Sequence, residues 1–586
     1  MDIFVNANLL RYARRFLDRS SPMKAHLGYT MSKPLCPIGT KNVKPLERAV
    51  PERVGIPSSV VSAFLDEAVN ECGLDLHGVT IVKDGKIICE AELGPYRPEY
   101  YHVCHSLSKS VTAMAIGMLI DEGKLSLDSK VTKLIEKRVP KLSILGYRSL
   151  TVRHLLTMTS GASFAESGVV VEKNWLKAFF ESTAASSPGK KFNYNSLNTY
   201  VLSCIVKEVS GEGLCKYLKN RLFAPLGITK YHWELSPEGI ECGGWGLYLT
   251  REDMAKLGLL YLNNGVYDGK RIISESWVKM STMPWIKTPD EYGMFEYGYH
   301  VWADKGRKSF LFNGMFCQDV LVLKEQKIVI ATNGGLEQLF QQSCYYDLIF
   351  KYFDTPSFSP IPKATDLSKL LRELKNGGNK RRILPPKLPH DIKKNIGVIY
   401  SADDYSKNPL KGVQKKGNPL SCGVLPIAEQ LLRNTYATGI RSMTLVKDGS
   451  ALLLEVEETE AIKRIPVTLD KWTDTVLQFG STYYRASAFS TVSKNEDGIT
   501  VLKIKLAFPE VSSARVIKLH FGKDSVYVTM SEKPGMEIVR IFADVLEETL
   551  KKKKLLSDVV SLIDADAIFL KLERRFEPKF TLNRKI

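Results

Sequence analysis

The sequence feature that most constrains this chain is a serine and a lysine one helical turn apart, at the start of an apolar stretch. Ser106 and Lys109 directly precede Val111–Ile120, which is mostly apolar. A helix begun here places both side chains on one face and points its first amide groups at the serine. An apolar site weakens the affinity of a lysine for its proton, so Lys109 is suited to activate the Ser106 hydroxyl. The stretch therefore predicts a buried helix that presents a nucleophile.

The Ser-x-x-Lys spacing alone is not specific, because it begins at Ser21, Ser106, Ser187 and Ser276 in this chain. Ser21 and Ser187 are each followed by proline, and Ser276 lies in a polar stretch. Those contexts are typical of solvated loops and helix surfaces. Only Ser106 opens an apolar helix.

Composition limits the class of protein. The 586 residues carry a net charge of +18 with 44% hydrophobic residues, and this length predicts two or three globular domains. Ten cysteines without a CxxC pair favour free thiols over a zinc site or a disulfide framework. We expect no metal and no organic cofactor. The basic charge raises nucleic acid as a partner, but no nucleic-acid-binding motif is present, and we expect none to bind.

The sequence also bears on location. The first residues lack a secretory signal, and no stretch reaches ~18 continuous apolar residues, so no integral membrane segment is expected. The basic amphipathic stretch Leu9–Leu17 has two interpretations, a short helix packed on the main domain or a contact with a membrane. A cytoplasmic location is the expectation.

Changes in composition predict the domain organisation. Prolines after Asp354 mark one boundary, and a segment rich in Lys, Asn, Gly and Pro follows it. Short alternating runs from about Gly439 onwards are typical of an antiparallel barrel or sandwich. The predicted regions are an N-terminal arm (1–44), a mixed helix and strand domain (45–355), a basic linker (356–424), a small antiparallel β domain (425–550) and a C-terminal helical tail (551–586).

Local patterns place several elements in the mixed domain. Two β-rich runs around Asp84-Gly85 predict a hairpin over Gly78–Glu90. Residues 311–314, 319–323 and 327–333 are predicted as adjacent antiparallel strands. Thr151–Gly161 is predicted as a capped helix, and a helix is expected over about 338–353.

Two further motifs follow Ser106 and Lys109 in order. Tyr194-Asn195-Ser196 precedes an apolar helix, and Phe312-Asn313-Gly314 lies on a strand. Together the three motifs resemble the serine β-lactamase and penicillin-binding-protein family, most closely the branch with class C β-lactamases, esterases and amide hydrolases. Other stretches similar to the family are Leu150–Gly161, Ala224–Ile228, Gly244–Ala255 and Leu262–Arg271.

The resemblance implies an α+β fold over about residues 45–355. A β-lactamase/transpeptidase-like domain has a five-to-nine-stranded antiparallel sheet flanked by helices, plus an all-helical subdomain. The small β-rich barrel or sandwich would follow it.

The resemblance also implies roles for individual residues. Ser106 would be the acylating nucleophile, Lys109 the amine beside it, and Tyr194 the group that carries the proton to the leaving group. The amides of Ser106 and Met315 would form the oxyanion hole. The residues expected to bind substrate are Ser196, Asn313, Gly314, Cys317 and Gln318.

Two departures from the family pattern narrow the chemistry. The second motif usually ends in Asn, and here Ser196 is expected to take that role. The third motif has Phe312 where β-lactamases carry Lys, so the cation that grips a substrate carboxylate is missing. Gly314–Gln318 instead resembles the Gly-x-Gly-Gly-Gln strand of the amide and ester hydrolase branch, with Cys317 where that branch often has Gly.

The expected function is a serine hydrolase that cleaves an ester or amide bond, including a peptide bond, through an acyl-enzyme at Ser106. The expected partner is a small-molecule ester, amide or peptide, and the sequence leaves the oligomeric state open. Alternatives are a catalytically weak binding or regulatory protein on the same scaffold, and a β-lactamase or D-amino-acid peptidase. The net charge leaves a nucleic-acid-associated protein as a third reading.

Overall fold

The computed structural model describes residues 33–38, 43–164, 172–304, 306, 308–377, 388–402, 422–433, 439–458, 461–536, 540, 573 and 576–585. The amphipathic stretch Leu9–Leu17, the rest of the arm up to residue 32 and most of the predicted helical tail lie outside the described residues. Two compact units divide the described part of the chain. One comprises residues 36–377, and the other comprises residues 33–35 with 388–585.

Strands of the first unit alternate with helices along the chain. The strands are β1 Leu76–Lys83, β2 Lys86–Glu92, β3 His102–Val103, β4 His232–Trp233, β5 Leu247–Leu249, β6 Val266–Tyr267, β7 Lys270–Arg271, β8 Glu296–Tyr297, β9 Trp302–Asp304, β10 Ser309–Gly314, β11 Gln318–Leu323 and β12 Ile328–Gly334. The helices are α1 Ser58–Asp66, α2 Ser108–Asp121, α3 Val131–Leu134, α4 Val152–Leu156, α5 Trp175–Glu181, α6 Leu197–Ser210, α7 Leu214–Leu218, α8 Arg251–Leu262, α9 Glu275–Ser281, α10 Cys344–Phe353 and α11 Leu367–Lys375.

A seven-stranded antiparallel sheet organises this unit, in the order β2-β1-β12-β11-β10-β9-β8. The hairpin predicted around Asp84-Gly85 is β1–β2, and both turn residues have positive φ, as a two-residue hairpin turn requires. The three predicted antiparallel strands are β10, β11 and β12. The fold class expected from the sequence, a sheet flanked by helices with a helical subdomain, is confirmed.

Helices cover both faces of the sheet. On one face, α1, α10 and α11 join a single apolar core that includes Phe64, Leu321 and Leu370. On the other face α8 packs so closely that a Cβ on Gly258 would lie 2.6 Å from methyl groups of Val320 and Val329. This packing buries all six residues of β10 and all seven of β12.

Four elements differ from the sequence-based expectations. The helix expected over about 338–353 begins only at Cys344. The helix predicted over Thr151–Gly161 ends at Leu156, because the chain turns at Met158, where φ is 56°. Residues predicted as linker include α11, whose buried leucines at helical spacing dock on the first unit. The last described residues of the predicted helical tail form a strand, Lys579–Arg584, and not a helix.

The second unit is built on one ten-stranded antiparallel sheet. Its strands are β13 Ile399–Ser401, β14 Ile440–Asp448, β15 Ala451–Glu458, β16 Ile462–Pro466, β17 Thr473–Phe479, β18 Thr482–Lys494, β19 Thr500–Ala507, β20 Ala514–Phe521, β21 Ser525–Lys533 and β22 Lys579–Arg584, with helices α12 His390–Lys393 and α13 Ile427–Arg433. The two edge strands are β16 and β17. They meet where Lys463 donates a hydrogen bond to the carbonyl of Gln478. The sheet is therefore a nearly closed barrel, which confirms the expected small β-rich domain.

Within the part of the chain that the structure describes, every helix is too short or too polar to cross a bilayer. The same residues contain no cluster of three or more His, Cys, Asp or Glu side chains placed to hold a metal ion.

Candidate active site

Ser106 lies in a one-turn 3-10 helix, His105–Leu107, that runs directly into α2. His105 has a φ of 45°, and the Ser108 hydroxyl donates to its carbonyl at 2.6 Å, which holds the turn. Twelve of the fourteen residues of α2 are buried, so the turn is fixed to the centre of the unit. Ser106 itself is half-buried, and it is reached from solvent at the end of an otherwise buried helix.

Lys109 is buried beside Ser106, and its ammonium makes three hydrogen bonds. Its Nζ lies 2.8 Å from Ser106 Oγ, 2.7 Å from Ser196 Oγ and 2.8 Å from the carbonyl oxygen of Gly244. Only 1% of Lys109 is exposed. Because a buried charge is costly unless its hydrogen bonds are satisfied, these contacts fix the amine at the serine.

Two neighbouring segments supply the partners of Lys109. Ser196 stands at the N-terminal end of α6, where the Asn195 side chain accepts from the Leu197 amide and donates to the Phe164 carbonyl. Gly244 packs against that end so closely that a Cβ there would lie 2.7 Å from the Ser196 carbonyl oxygen. The glycine therefore lets its backbone reach Lys109.

Tyr194 covers the other side of the amine. Lys109 Nζ lies 4.8 Å from the centroid of the Tyr194 ring, within the distance of a cation–π contact. Behind that ring, Trp302 is stacked at 5.9 Å and 23°. Tyr194 as a whole is half-buried.

His300 is a neutral group near the amine. Burial, helped by the positive charge of Lys109, holds the pKa of His300 well below its usual value. Its ring nitrogens lie 3.0 Å from Thr199 Oγ1 and 3.3 Å from the Tyr297 hydroxyl. A neutral His300 adds no second positive charge beside Lys109.

The end of β10 lies against the chain that leads into Ser106. A Cβ on Gly314 would lie 2.2 Å from the carbonyl oxygen of Cys104. The turn after Gly314 is tight, since Phe316 and Cys317 have φ values of 66° and 69°. The Phe316 ring meets the His105 ring edge to face at 5.6 Å. Met315 directly follows Gly314 in this turn.

A buried carboxyl group anchors the same turn. Asp319 accepts hydrogen bonds from Asn313 Nδ2 at 2.7 Å, the Gly314 amide at 3.3 Å and the Tyr346 hydroxyl at 2.7 Å. Burial raises the pKa of Asp319 to about 6, although these donors lower it. Burial, with Asp319 nearby, also raises the pKa of the Cys317 thiol, so this cysteine is not a reactive thiolate.

The structure brings some of the expected site residues together and separates others. Ser106, Lys109 and Ser196 are in direct contact, Tyr194 lies over the amine, and Gly314 adjoins the nucleophile turn. The side chains of Asn313, Cys317 and Gln318 are buried, and those of Asn313 and Gln318 are hydrogen-bonded to other groups of the protein. Gln318 donates to the carbonyls of Phe316 and Gly334. The roles of all these residues remain predictions.

Sequence reasoning missed three residues of the site. Gly244 lies in a Gly-Trp-Gly stretch that had been assigned only to the family pattern, and that stretch was the available signal. Asp319 directly follows the Gly314–Gln318 strand, but a lone aspartate in an apolar strand gives no sign of its partners. His300 has no sequence signal, because its neighbours come from distant segments.

Comparison with known proteins identifies the fold that carries this geometry. The family model described as Beta-lactamase matches residues 61–333. These residues form a Beta-lactamase domain. The resemblance drawn from Ser106, Tyr194 and Gly314 is confirmed, since the matched segment contains all three motifs.

Two named bacterial proteins are similar to part of this chain. The chain is 27% identical over 222 residues to the 6-aminohexanoate-dimer hydrolase of Paenarthrobacter ureafaciens, covering 34% of this chain and 55% of that protein. It is 28% identical over 169 residues to protein flp of Staphylococcus aureus (strain COL), covering 26% of this chain and 33% of that protein. The alignments thus span about half and a third of those relatives.

Among solved structures, the octameric penicillin-binding protein homologue from Pyrococcus abyssi is similar. It has a TM-score of 0.42 and 20% identity, and the match covers 80% of this chain and 97% of that one.

Proposed function

We propose that this protein is a serine hydrolase that cleaves an ester or amide bond of a small molecule through an acyl-enzyme at Ser106. The observation that carries the proposal is the position of Lys109 Nζ between Ser106 Oγ, Ser196 Oγ and the Gly244 carbonyl. A carbonyl oxygen can only accept a hydrogen bond, whereas a hydroxyl can donate or accept.

Lys109 is suited to act as a base, because one of its partners, the Gly244 carbonyl, can only accept a hydrogen bond, whereas the Ser106 hydroxyl can donate one. When the amine is neutral, its two N–H groups are used by the Gly244 carbonyl and Ser196 Oγ. The lone pair then points to Ser106, whose hydroxyl becomes the donor. In this proposal, Ser196 does what the Asn at the third position of the family's Tyr-x-Asn motif does.

The proposed reaction has two steps. Ser106 Oγ bonds to the substrate carbonyl carbon while Lys109 accepts the Oγ proton, and Tyr194 passes a proton to the leaving oxygen or nitrogen as its bond to that carbon breaks. A water molecule then adds to the acyl carbon and gives a proton to Tyr194, which lost its own in the first step. The bond from that carbon to Ser106 Oγ breaks as Lys109 returns its proton to Oγ, and a carboxylic acid leaves.

The hairpin turn would stabilise the negative charge that develops on the substrate oxygen. The amides of Ser106 and Met315 are the proposed donors, and removal of one such donor typically costs about 10²–10³ in turnover. Asn313, Cys317 and Gln318 would support this site indirectly, because their side chains hold the turn and not the substrate.

Further observations support hydrolysis over other functions. The relative from Paenarthrobacter ureafaciens is named for hydrolysis of a 6-aminohexanoate dimer. In the third motif, Phe312 stands where β-lactamases carry the Lys that binds the substrate carboxylate, and Phe312 is fully buried. We therefore do not favour a β-lactamase or a D-amino-acid peptidase. The ten cysteines are free thiols, and this suits the proposed cytoplasmic location.

The first test uses a fluorophosphonate probe and p-nitrophenyl acetate on the full chain. Wild type is expected to be labelled covalently and to release p-nitrophenol. Ser106→Ala should lose both, with a fall in turnover of at least about 10⁴ from loss of the nucleophile. Ser276→Ala is the matched control, since it removes an exposed serine from another Ser-x-x-Lys sequence, and it should behave as wild type.

The same experiment separates the proposal from a binding protein on this scaffold. Intact-mass measurement after reaction with the probe shows one added phosphonyl group on wild type if Ser106 is a nucleophile. An unchanged mass together with no hydrolysis would support the binding protein. Hydrolysis that persists in Ser106→Ala would mean that the nucleophile is assigned wrongly.

A further inference from the structure

A cluster of aromatic rings surrounds the side of Tyr194 that faces away from Lys109. The Tyr194 ring centroid lies 5.2 Å from that of Phe340 and 6.0 Å from that of Tyr292. Phe340 and Tyr292 meet edge to face at 4.6 Å, and Trp302 lies 6.0 Å from each of them. We call Tyr194, Tyr292, Phe340 and Trp302 the aromatic wall.

The four rings of the wall differ in burial. Trp302 is 2% exposed, and Phe192 and Tyr297 pack against the wall from within the core. Tyr194, Tyr292 and Phe340 are only partly buried. Part of each of these side chains is therefore exposed, next to the amine that would activate Ser106.

The position of the wall indicates which part of a substrate it contacts. Tyr194 is the proposed donor of a proton to the leaving group, so the leaving oxygen or nitrogen must come to its hydroxyl. A group attached to that atom then extends past Tyr194 towards Tyr292 and Phe340. The wall is thus on the leaving-group side of the site.

The surroundings of the wall do not suit a carboxylate. Phe312, which stands where the family pattern has a cation, packs its ring against Tyr261 at 5.0 Å. The Asn313 amide is used by Asp319 and by Gln341, whose Nε2 donates to it at 3.1 Å. Asp290 and Glu291 directly precede Tyr292 in the chain, and they add negative charge there.

We infer that this site takes esters or amides with an uncharged, apolar leaving group, an aryl or alkyl alcohol or amine, which binds against Tyr292 and Phe340. This inference rests on the proposed hydrolysis at Ser106 and adds the substrate class. Burial of a phenyl group on the wall should favour such a substrate over a small alcohol roughly tenfold to a hundredfold in kcat/KM.

The test keeps the acyl group and the leaving-group chemistry constant. Ethyl acetate, benzyl acetate and 4-carboxybenzyl acetate are compared by release of acetic acid in a pH-stat. Benzyl acetate should exceed ethyl acetate in kcat/KM by about tenfold or more. The added carboxylate should reduce kcat/KM by at least about tenfold, because it loses hydration against apolar rings beside the acidic residues Asp290 and Glu291. Equal rates for the three esters would overturn the inference.

Substitutions at Phe340 test whether the aromatic wall causes the preference for benzyl acetate over ethyl acetate. Phe340→Ala should reduce the ratio of benzyl to ethyl acetate by about fivefold, the scale of one aromatic contact, while Phe340→Leu should retain most of the ratio. Tyr231→Ala is the control, since Tyr231 is half-buried and its ring packs on Phe223 at 4.4 Å, outside the wall. The ratio in this variant should equal that of wild type. An unchanged ratio in Phe340→Ala would place the leaving group elsewhere.

A second measurement uses only wild type, so its result does not depend on whether a variant folds. Benzyl alcohol should inhibit hydrolysis of p-nitrophenyl acetate by wild type at least about tenfold more strongly than 4-carboxybenzyl alcohol does. Equal inhibition by the two alcohols would contradict the inference and leave the hydrolase proposal intact. No hydrolysis of p-nitrophenyl acetate and no labelling by a fluorophosphonate would instead overturn the proposed function.

Discussion

At the scale of single residues, the candidate site contains two buried ionisable side chains that are held by hydrogen bonds. The Lys109 ammonium has acceptors in Ser106, Ser196 and Gly244, and the Asp319 carboxyl has donors in Asn313 and Tyr346. In both cases a charged form is held in a place where water cannot solvate it. Such groups are costly to keep in a fold, which is why they are often found at functional sites.

Asp319 leads to a prediction about pH and stability. The carboxyl has a pKa of about 6 in the folded chain, above its ordinary 3.8, so the folded state holds the proton more tightly than the unfolded state. Its contribution to the free energy of unfolding is fully present below about pH 4 and falls as pH rises towards about 6, by up to about 3 kcal/mol.

The side chain in Asp319→Asn cannot ionise, so the free energy of unfolding of this variant should not show the decrease between about pH 4 and pH 6. The free energy of unfolding of wild type, measured against that of Asp319→Asn by denaturant titration at pH 4, 5, 6 and 7, should therefore decrease through this range. Glu136→Gln, which removes an exposed carboxylate from the same unit, should show the pH dependence of wild type. A constant difference between wild type and Asp319→Asn would contradict the raised pKa.

At the scale of elements, the decisive feature is the approach of the β10–β11 hairpin to the turn before α2. Gly314 pairs with Gln318 across the hairpin, and its Cα faces the Cys104 carbonyl without room for a side chain. The strand end and the turn that carries Ser106 are therefore held at a fixed separation, which the proposed oxyanion hole, built from amides of both elements, requires.

Gly314→Ala tests this packing. The added methyl group would lie 2.2 Å from the Cys104 oxygen, so the hairpin or the turn must move, and overpacking of this kind costs about 1–3 kcal/mol. We expect a lower melting temperature and a loss of turnover larger than the loss of stability explains. In Gly146→Ala the new Cβ meets nothing within 4 Å, and this control should remain within about 1 kcal/mol of wild type.

At the scale of the whole molecule, the described chain forms two units, each with its own buried core. The first unit holds the seven-stranded sheet and every described residue of the candidate site. The second has the ten-stranded barrel and its own buried ion pair, Arg515 with Glu532 at 2.7 Å. Separate cores are expected to lose their structure in separate cooperative transitions.

Calorimetry of paired variants tests that expectation. Leu321→Ala and Leu519→Ala each remove a large side chain that is at most 2% exposed, one from each unit. Each should destabilise its own unit by about 2–5 kcal/mol and shift one of two heat-absorption peaks. A single peak that both substitutions shift equally would show that the two units unfold together.

The sequence by itself determined the features that depend on neighbours along the chain. The apolar helix behind Ser106, the β1–β2 hairpin around Asp84-Gly85 and most strands of the barrel follow from periodicity and turn residues, which act within a few positions. The order of Ser106, Tyr194 and Gly314 also identified the fold, because a family keeps the order of its motifs.

Only the tertiary structure decided the features that depend on residues distant in sequence. No local pattern shows that the Gly244 carbonyl reaches Lys109, that Asp319 ties the hairpin to Tyr346, or that Phe340 packs on Tyr194. The amide of Asn313 looked available to a substrate in the sequence, yet packing of β10 against α10 uses it internally. Burial is set by how elements meet, and it decides which polar groups pair with one another and which remain open to a ligand.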